Sequence, residues 1–447
     1  MNVLILIIFV AVIECINTNL ITFFMEHTQS SSFLRLQGKS MLLPFVLVTS
    51  LFFFWGLANN MTDTLLSAFK RIMSMSDVQT SLIQMSFYGS YFCFALPAAL
   101  FIKRFTYKSG VLLGLLLYAL GAMMFYPASL TASYTHYLIA IYVLAGGCSI
   151  LETTANPYIM SMGSVETATR RLNLAQAFNP IGSITGILLS QYFILGALNK
   201  ASAEDRLEMT AQELTNIQMG ELNAVTYTYM GVGLVLLIVF FMMLLTRMPR
   251  NSDSSNSLNF FPTVKRLLAN KIYAWGVVAQ FFYVGAQIGV WSYTIRIVMS
   301  ELGTDEQTSA NIYLLSIICF SVSRFIFTFL MRYIHPSRLL MMASLIAIVC
   351  TLAVIFSSGM VTVVALIGIS ICMSLMFPTI YGFALHGLGE DAKIGASGLI
   401  MAILGGALLT PLQGWISDLS TIHYAYAVPM ICFIVVALYA RLVRNQA

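Results

Sequence analysis

The chain has 447 residues, of which 59% are hydrophobic and 9% charged, with a net charge of +5. Soluble globular proteins carry about 25% charged residues, so the composition excludes that class and defines a polytopic membrane protein. The small positive excess is read by position, as topology, and not as a nucleic-acid footprint.

Residues 1–40 form a leader that fits nothing downstream. "VLILIIFVAVI" is too short to cross a bilayer and lacks the basic start of a signal peptide. It is either a genuine leader or translation begun upstream of a true start at Met25 or Met41. Six apolar spans then follow, at 42–69, 80–102, 110–128, 136–162, 172–196 and 225–246. They define an N-terminal six-helix unit over 41–246. The Ser/Asn-rich, then basic stretch 247–272 is a linker. A second unit, 273–447, holds spans at 273–298, 308–331, 339–358, 361–388, 394–416 and 424–442. The expected fold is therefore all-α, with twelve transmembrane helices in two six-helix bundles.

Alternate connections concentrate lysine and arginine, for example Lys103-Arg104, Arg170-Arg171, Lys265-Arg266 and Arg338, which predicts that both termini are cytoplasmic. The halves echo one another. "FFFWGLANN" (Phe52–Asn60) resembles "FFYVGAQIG" (Phe281–Gly289), and Pro157 in span four corresponds to Pro378 in span ten. Both offsets are about 220–230 residues, the size of one half.

Lipid-facing positions are apolar, so polar residues inside spans report the interior or a water-filled path. Here they fall in stripes. Asn59 and Asp63 share a face of span one, with Asn60 beside them. Glu152 and Asn156 repeat that spacing in span four, while Asn173, Gln176 and Asn179 follow at intervals of three in span five. Gln280, Tyr283, Gln287 and Trp291 line one face of span seven. A lone amide in a membrane helix is commonly interhelical glue, contributing about 0.6 kcal/mol. An intramembrane acid is different, costing roughly 2.5–3.5 kcal/mol on insertion scales. Apolar chain continues well beyond Glu152; beyond Asp63 "TLLSAF" adds two turns before Lys70 and Arg71, so Asp63 is either an intramembrane acid or the end of span one.

Enzyme signatures are absent: no phosphate-cradling Gly-rich loop with lysine, no paired intramembrane histidines, no nucleophile elbow. The seven cysteines and five histidines show no ligand spacing, so no metal and no other cofactor is expected. An ion gradient is then the natural energy source. Burial disfavours the ionised carboxyl, so such a group can load a proton from one side and release it when wetted from the other.

Five stretches, "FFFWGLANNMTDTLL", "GGCSILETTANPYI", "RRLNLAQAFNPIG", "FFYVGAQIGVWSY" and "GGALLTPLQGWISD", together resemble the fucose–galactose–glucose:proton symporter family of the major facilitator superfamily. The resemblance spans roughly Leu42 to Arg441. It implies a central cavity lined by spans one, four, seven and ten, with alternating access. It also implies that Asp63 carries the coupling proton, that Glu152 binds sugar hydroxyls and exchanges protons, and that Asn179 and Gln176 hydrogen-bond the cargo. Asn59, Asn60, Gln287, Tyr283 and Trp291 complete the candidate binding set. The chain departs from the family pattern at Thr62 and at Met376-Phe377.

The expected function is import of a monosaccharide with a proton across a bacterial inner membrane, by a monomer surrounded by lipid. Two rivals are a proton-coupled exporter of amphipathic compounds and a sugar-sensing receptor that does not transport.

Overall fold

The structure, a computed structural model, describes residues 34–36, 39–73, 75, 77–131, 133–199, 209–246 and 260–444. Most of the expected leader and the linker stretch 247–259 lie outside the described residues. A two-residue antiparallel pairing, Arg35 with Ser40 and Leu36 with Lys39, leads into the first helix. From there the chain is helical, as its apolar runs require once backbone groups must bond within the segment.

The N-terminal bundle holds α1 (Leu42–Ile72), α2 (Asp77–Arg104), α3 (Tyr107–Met123), α4 (Tyr134–Met160), the broken pair α5 (Ala168–Gln176) and α6 (Asn179–Leu189), and α7 (Ala211–Leu245). A linker helix, α8 (Phe260–Ala269), precedes the second bundle. That bundle comprises α9 (Lys271–Leu302), α10 (Glu306–Leu330), α11 (Pro336–Phe356), the broken pairs α12 (Met360–Met373) with α13 (Met376–Leu385) and α14 (Ala392–Met401) with α15 (Leu404–Leu419), and α16 (Ala427–Arg444). Counting each broken pair as one span gives twelve.

Among the described residues, ten spans are long and apolar enough to cross a membrane by length and composition. The other two are the α5/α6 pair and α9, which carry Asn173, Gln176, Asn179, Gln280 and Gln287. The pair is interrupted at Ala177–Phe178 and passes into a π turn at Ser190–Ile194, while Gln280 and Gln287 dilute the apolar run of α9. The sixth span's helix begins at Ala211 and not near 225. A reciprocal cap between Thr210 and Glu213 starts it early, ahead of the apolar run.

Close helix approach repeats in the two halves. A Cβ at Gly182 would strike the Phe53 carbonyl oxygen, and one at Gly56 the Asn179 carbonyl oxygen, so α1 and α6 touch backbone to backbone. In the second half Gly405 meets the Phe281 carbonyl in the same way, bringing α15 onto α9. Phe53 and Phe281 lie in the two echoing motifs, so the repeat extends to packing. Gly182→Val is expected to cost about 3 kcal/mol or more through overpacking. Thermal unfolding of the purified variant checks this; a wild-type midpoint would show that the contact relaxes.

The bundles meet at the end that carries the basic connections. There α14 packs on α2 and α4, and α5 packs against α13 and α10. Lys393 sits 5.1 Å from the Tyr107 ring centroid, and Thr169 crowds Gly382. Asn173 Nδ2 donates to Thr379 Oγ1 at 3.2 Å across the junction. This end is closed.

Candidate functional site

Exposure of the polar stripes rises away from the closed end. Gln176 and Tyr283 are buried, whereas Asn179, Gln287 and Trp291, further along their spans, are half-buried. Asn59 and Asn60 are half-buried too. A chamber between the bundles therefore opens towards the end opposite the basic connections.

Glu152 lies at the core of this region. It is 2% exposed, and neither carboxylate oxygen has a hydrogen-bond partner among the described residues. Tyr91 of α2 and Tyr381 of α13 are its electrostatic neighbours, one from each bundle. Among the described residues both hydroxyls are buried without a hydrogen-bond partner, as are Asn156 Nδ2 and Trp55 Nε1. Trp55 lies beside Tyr91, yet the two do not reach hydrogen-bond geometry. Buried polar groups left unpaired cost about 1–3 kcal/mol each, so a cluster of them calls for a ligand that supplies the missing partners.

The amides are held in place. Gln176 Nε2 donates to Asn156 Oδ1 at 2.9 Å, one helical turn beyond Glu152. Asn179 Nδ2 donates to the Phe52 carbonyl at 3.3 Å, and Asn60 Nδ2 to the Gly56 carbonyl at 3.3 Å. Such bonds orient each side-chain amide.

Next to the polar cluster stands an aromatic plate. Phe377 of α13 lies 6.3 Å from Trp55, 6.2 Å from Tyr283 and 6.2 Å from Tyr381, centroid to centroid. Tyr283 commits its hydroxyl to the Met373 carbonyl at 3.0 Å, and Trp291 Nε1 reaches Ser370 Oγ at 3.3 Å. These two expected binding residues therefore serve first as wall, presenting ring faces. Met376 and Phe377, the departure from the family pattern, supply the apolar side of the site.

The structure joins Gln176 to Asn156, one turn from Glu152, ties Asn179 to α1 at the Phe52 carbonyl, and sets Trp55 and Tyr283 at the plate. Asp63 lies within α1, whose helix runs on to Ile72; its side chain is outside the described residues. Sequence reasoning missed Tyr91, Tyr381 and Arg324. The tyrosines carry no signal, since a tyrosine in an apolar run reads equally well as core. Arg324 does carry one, as a lone cation inside "ICFSVSRFIFTFL".

Two helical bundles with a shared polar chamber, sealed at one end, define a multi-pass membrane carrier of the alternating-access type. The chain belongs to the Major Facilitator Superfamily, whose sequence profile matches residues 47–404. It is 41% identical over 413 residues to the L-fucose-proton symporter of Haemophilus influenzae, covering 90% of this chain and 96% of that protein. It is 31% identical to a glucose/galactose transporter of Brucella abortus, covering 92% and 96% respectively. Among solved structures, the transporter FucP in its outward conformation superimposes with a TM-score of 0.84 at 36% identity, covering 90% of this chain and 98% of that one. These relatives are transporters, and none is an enzyme.

Proposed function

We propose that this chain imports a monosaccharide together with a proton, with L-fucose as the first cargo to test. The observation that carries the reading is the Glu152 carboxyl, buried with the polar atoms of Tyr91, Tyr381, Asn156 and Trp55, none of which has a hydrogen-bond partner among the described residues. A sugar presents alternating donors and acceptors around a ring with an apolar face. The first fits the orphaned atoms, and the second fits the Phe377–Trp55 plate. L-fucose has a methyl group where other hexoses carry their last hydroxyl, which suits an apolar wall. Relatives bearing the names L-fucose-proton symporter and glucose/galactose transporter support the substrate class.

Asp63 carries the coupling proton, and Glu152 binds sugar hydroxyls while exchanging a proton of its own. Gln176, Asn179, Asn60, Asn59 and Gln287 hydrogen-bond the cargo around it, with Tyr283 and Trp291 as stacking walls. The protein works as a lipid-embedded monomer in a bacterial inner membrane. The lysine and arginine distribution puts both termini in the cytoplasm, so the chamber faces outward.

A proteoliposome screen of labelled L-fucose, D-galactose and D-glucose under an imposed pH gradient tests this. Gradient-dependent accumulation of at least one sugar, L-fucose foremost, is expected. Extrusion of amphipathic compounds with no sugar accumulation would replace this reading by the exporter.

A further inference from the structure

Proline removes a backbone donor, so the carbonyl four residues earlier in a helix loses its partner. Pro378 strips the Ser374 carbonyl in the C-terminal bundle, while in the N-terminal bundle Gln176 ends α5 and its carbonyl is left without a helical donor ahead of Pro180, which opens α6. Both carbonyls lie at helix breaks, between α5 and α6 and between α12 and α13. One side chain takes both. Arg324 of α10 donates Nη1 to the Gln176 carbonyl at 2.9 Å and Nε to the Ser374 carbonyl.

We propose that Arg324 is a positioning residue, a latch that holds the basic end shut by bridging two carbonyls left open at helix breaks in opposite bundles. The inference rests on reading the chain as a carrier whose bundles rock. Arg324 is 3% exposed and forms no ion pair with a carboxylate among the described residues, so carbonyl dipoles and the Phe320 ring, 4.6 Å away, are its described compensation. The guanidinium suits this task because its fork presents several donors in fixed directions; a lysine offers one point charge.

The two bonds have different fates. The one to Ser374 lies within the C-terminal bundle and travels with it. The one to Gln176 crosses between bundles and must break when the basic end opens. Its carbonyl then has neither Pro180 nor Arg324 as a donor, and only water can serve it. Release is therefore costly until the junction is wetted, which makes closure two-state. Phe178 against Phe325, 5.9 Å apart, helps keep water out in the closed state. Gln176 also belongs to the sugar site, since its side chain holds Asn156. One residue thus feels both the cargo and the latch.

The test places a cysteine at Thr169, in the closed junction, within a chain otherwise free of cysteine. An impermeant thiol reagent is then presented to the basic end without sugar. Arg324→Met is expected to raise the labelling rate about tenfold, the equivalent of one lost charged hydrogen bond. Arg324→Lys keeps the charge but replaces the fork by one point donor, so it should also raise labelling, by less. An arginine needed only for its buried charge predicts no such effect from the lysine change. Unchanged labelling in folded Arg324→Lys protein overturns the proposal, and it decides alone if Arg324→Met does not fold. No sugar enters the measurement, so a wrong cargo leaves the result untouched.

Discussion

Glu152→Ala is expected to weaken sugar binding about a hundredfold, the loss of two hydrogen bonds to a charged group at the low end of their usual 1.5–3 kcal/mol. The size of the effect follows from where the carboxyl sits. Neither oxygen is engaged by a described protein group, so nothing else in the site is released to compensate. Alanine also leaves Tyr91 and Tyr381 facing one another's bundles with less to bind between them. Glu152→Gln separates the two duties of the residue. It keeps an acceptor and a shape close to the acid, so affinity should fall far less than with alanine. It cannot titrate, so proton-driven uptake should still fail. Calorimetric titration with L-fucose checks the first pair, and a wild-type affinity for Glu152→Ala would remove the residue from the sugar site.

Asp63→Asn is the second large effect, and it falls on energy rather than affinity. One proton moving down one pH unit is worth about 1.4 kcal/mol, enough for a tenfold sugar gradient. Without a titrating group at this position the gradient has no grip, so the inside-to-outside ratio should fall to one. Sugar exchange across the same vesicles should continue, because the amides of the chamber remain. Asp63 stands one turn beyond Asn59 on α1, whose helix continues to Ile72, while the apolar span described on that helix runs Leu42–Thr62. Proton-driven accumulation at the wild-type level in Asp63→Asn would assign coupling to another residue.

The architecture was legible because apolar runs in a membrane admit little besides helix, and because lysine and arginine cluster on alternate connections. The α5/α6 pair and α9 were recognised, like the other spans, by the length of their apolar runs, and their amides then stood out at helical spacing. Glu152 was legible for the opposite reason, as an acid with no explanation in an apolar run. The α7 start near Ala211 was hidden, since polar residues stabilised by a cap look like a loop until the cap is seen. Tyr91 and Tyr381 were hidden because their meaning lies in what they lack, a partner, and pairing is a property of the assembled bundles. The bridge at Arg324 was hidden more deeply. Both of its acceptors are backbone carbonyls, and only the fold brings the helix breaks of Pro180 and Pro378 to one guanidinium.

The most direct measurement loads proteoliposomes with a pH-sensitive dye and adds L-fucose outside, with no imposed gradient and the membrane potential clamped. Cargo and proton entering together predict acidification of the lumen that scales with sugar uptake and vanishes in Asp63→Asn. Sugar entering at full rate while the dye signal stays flat would contradict the account.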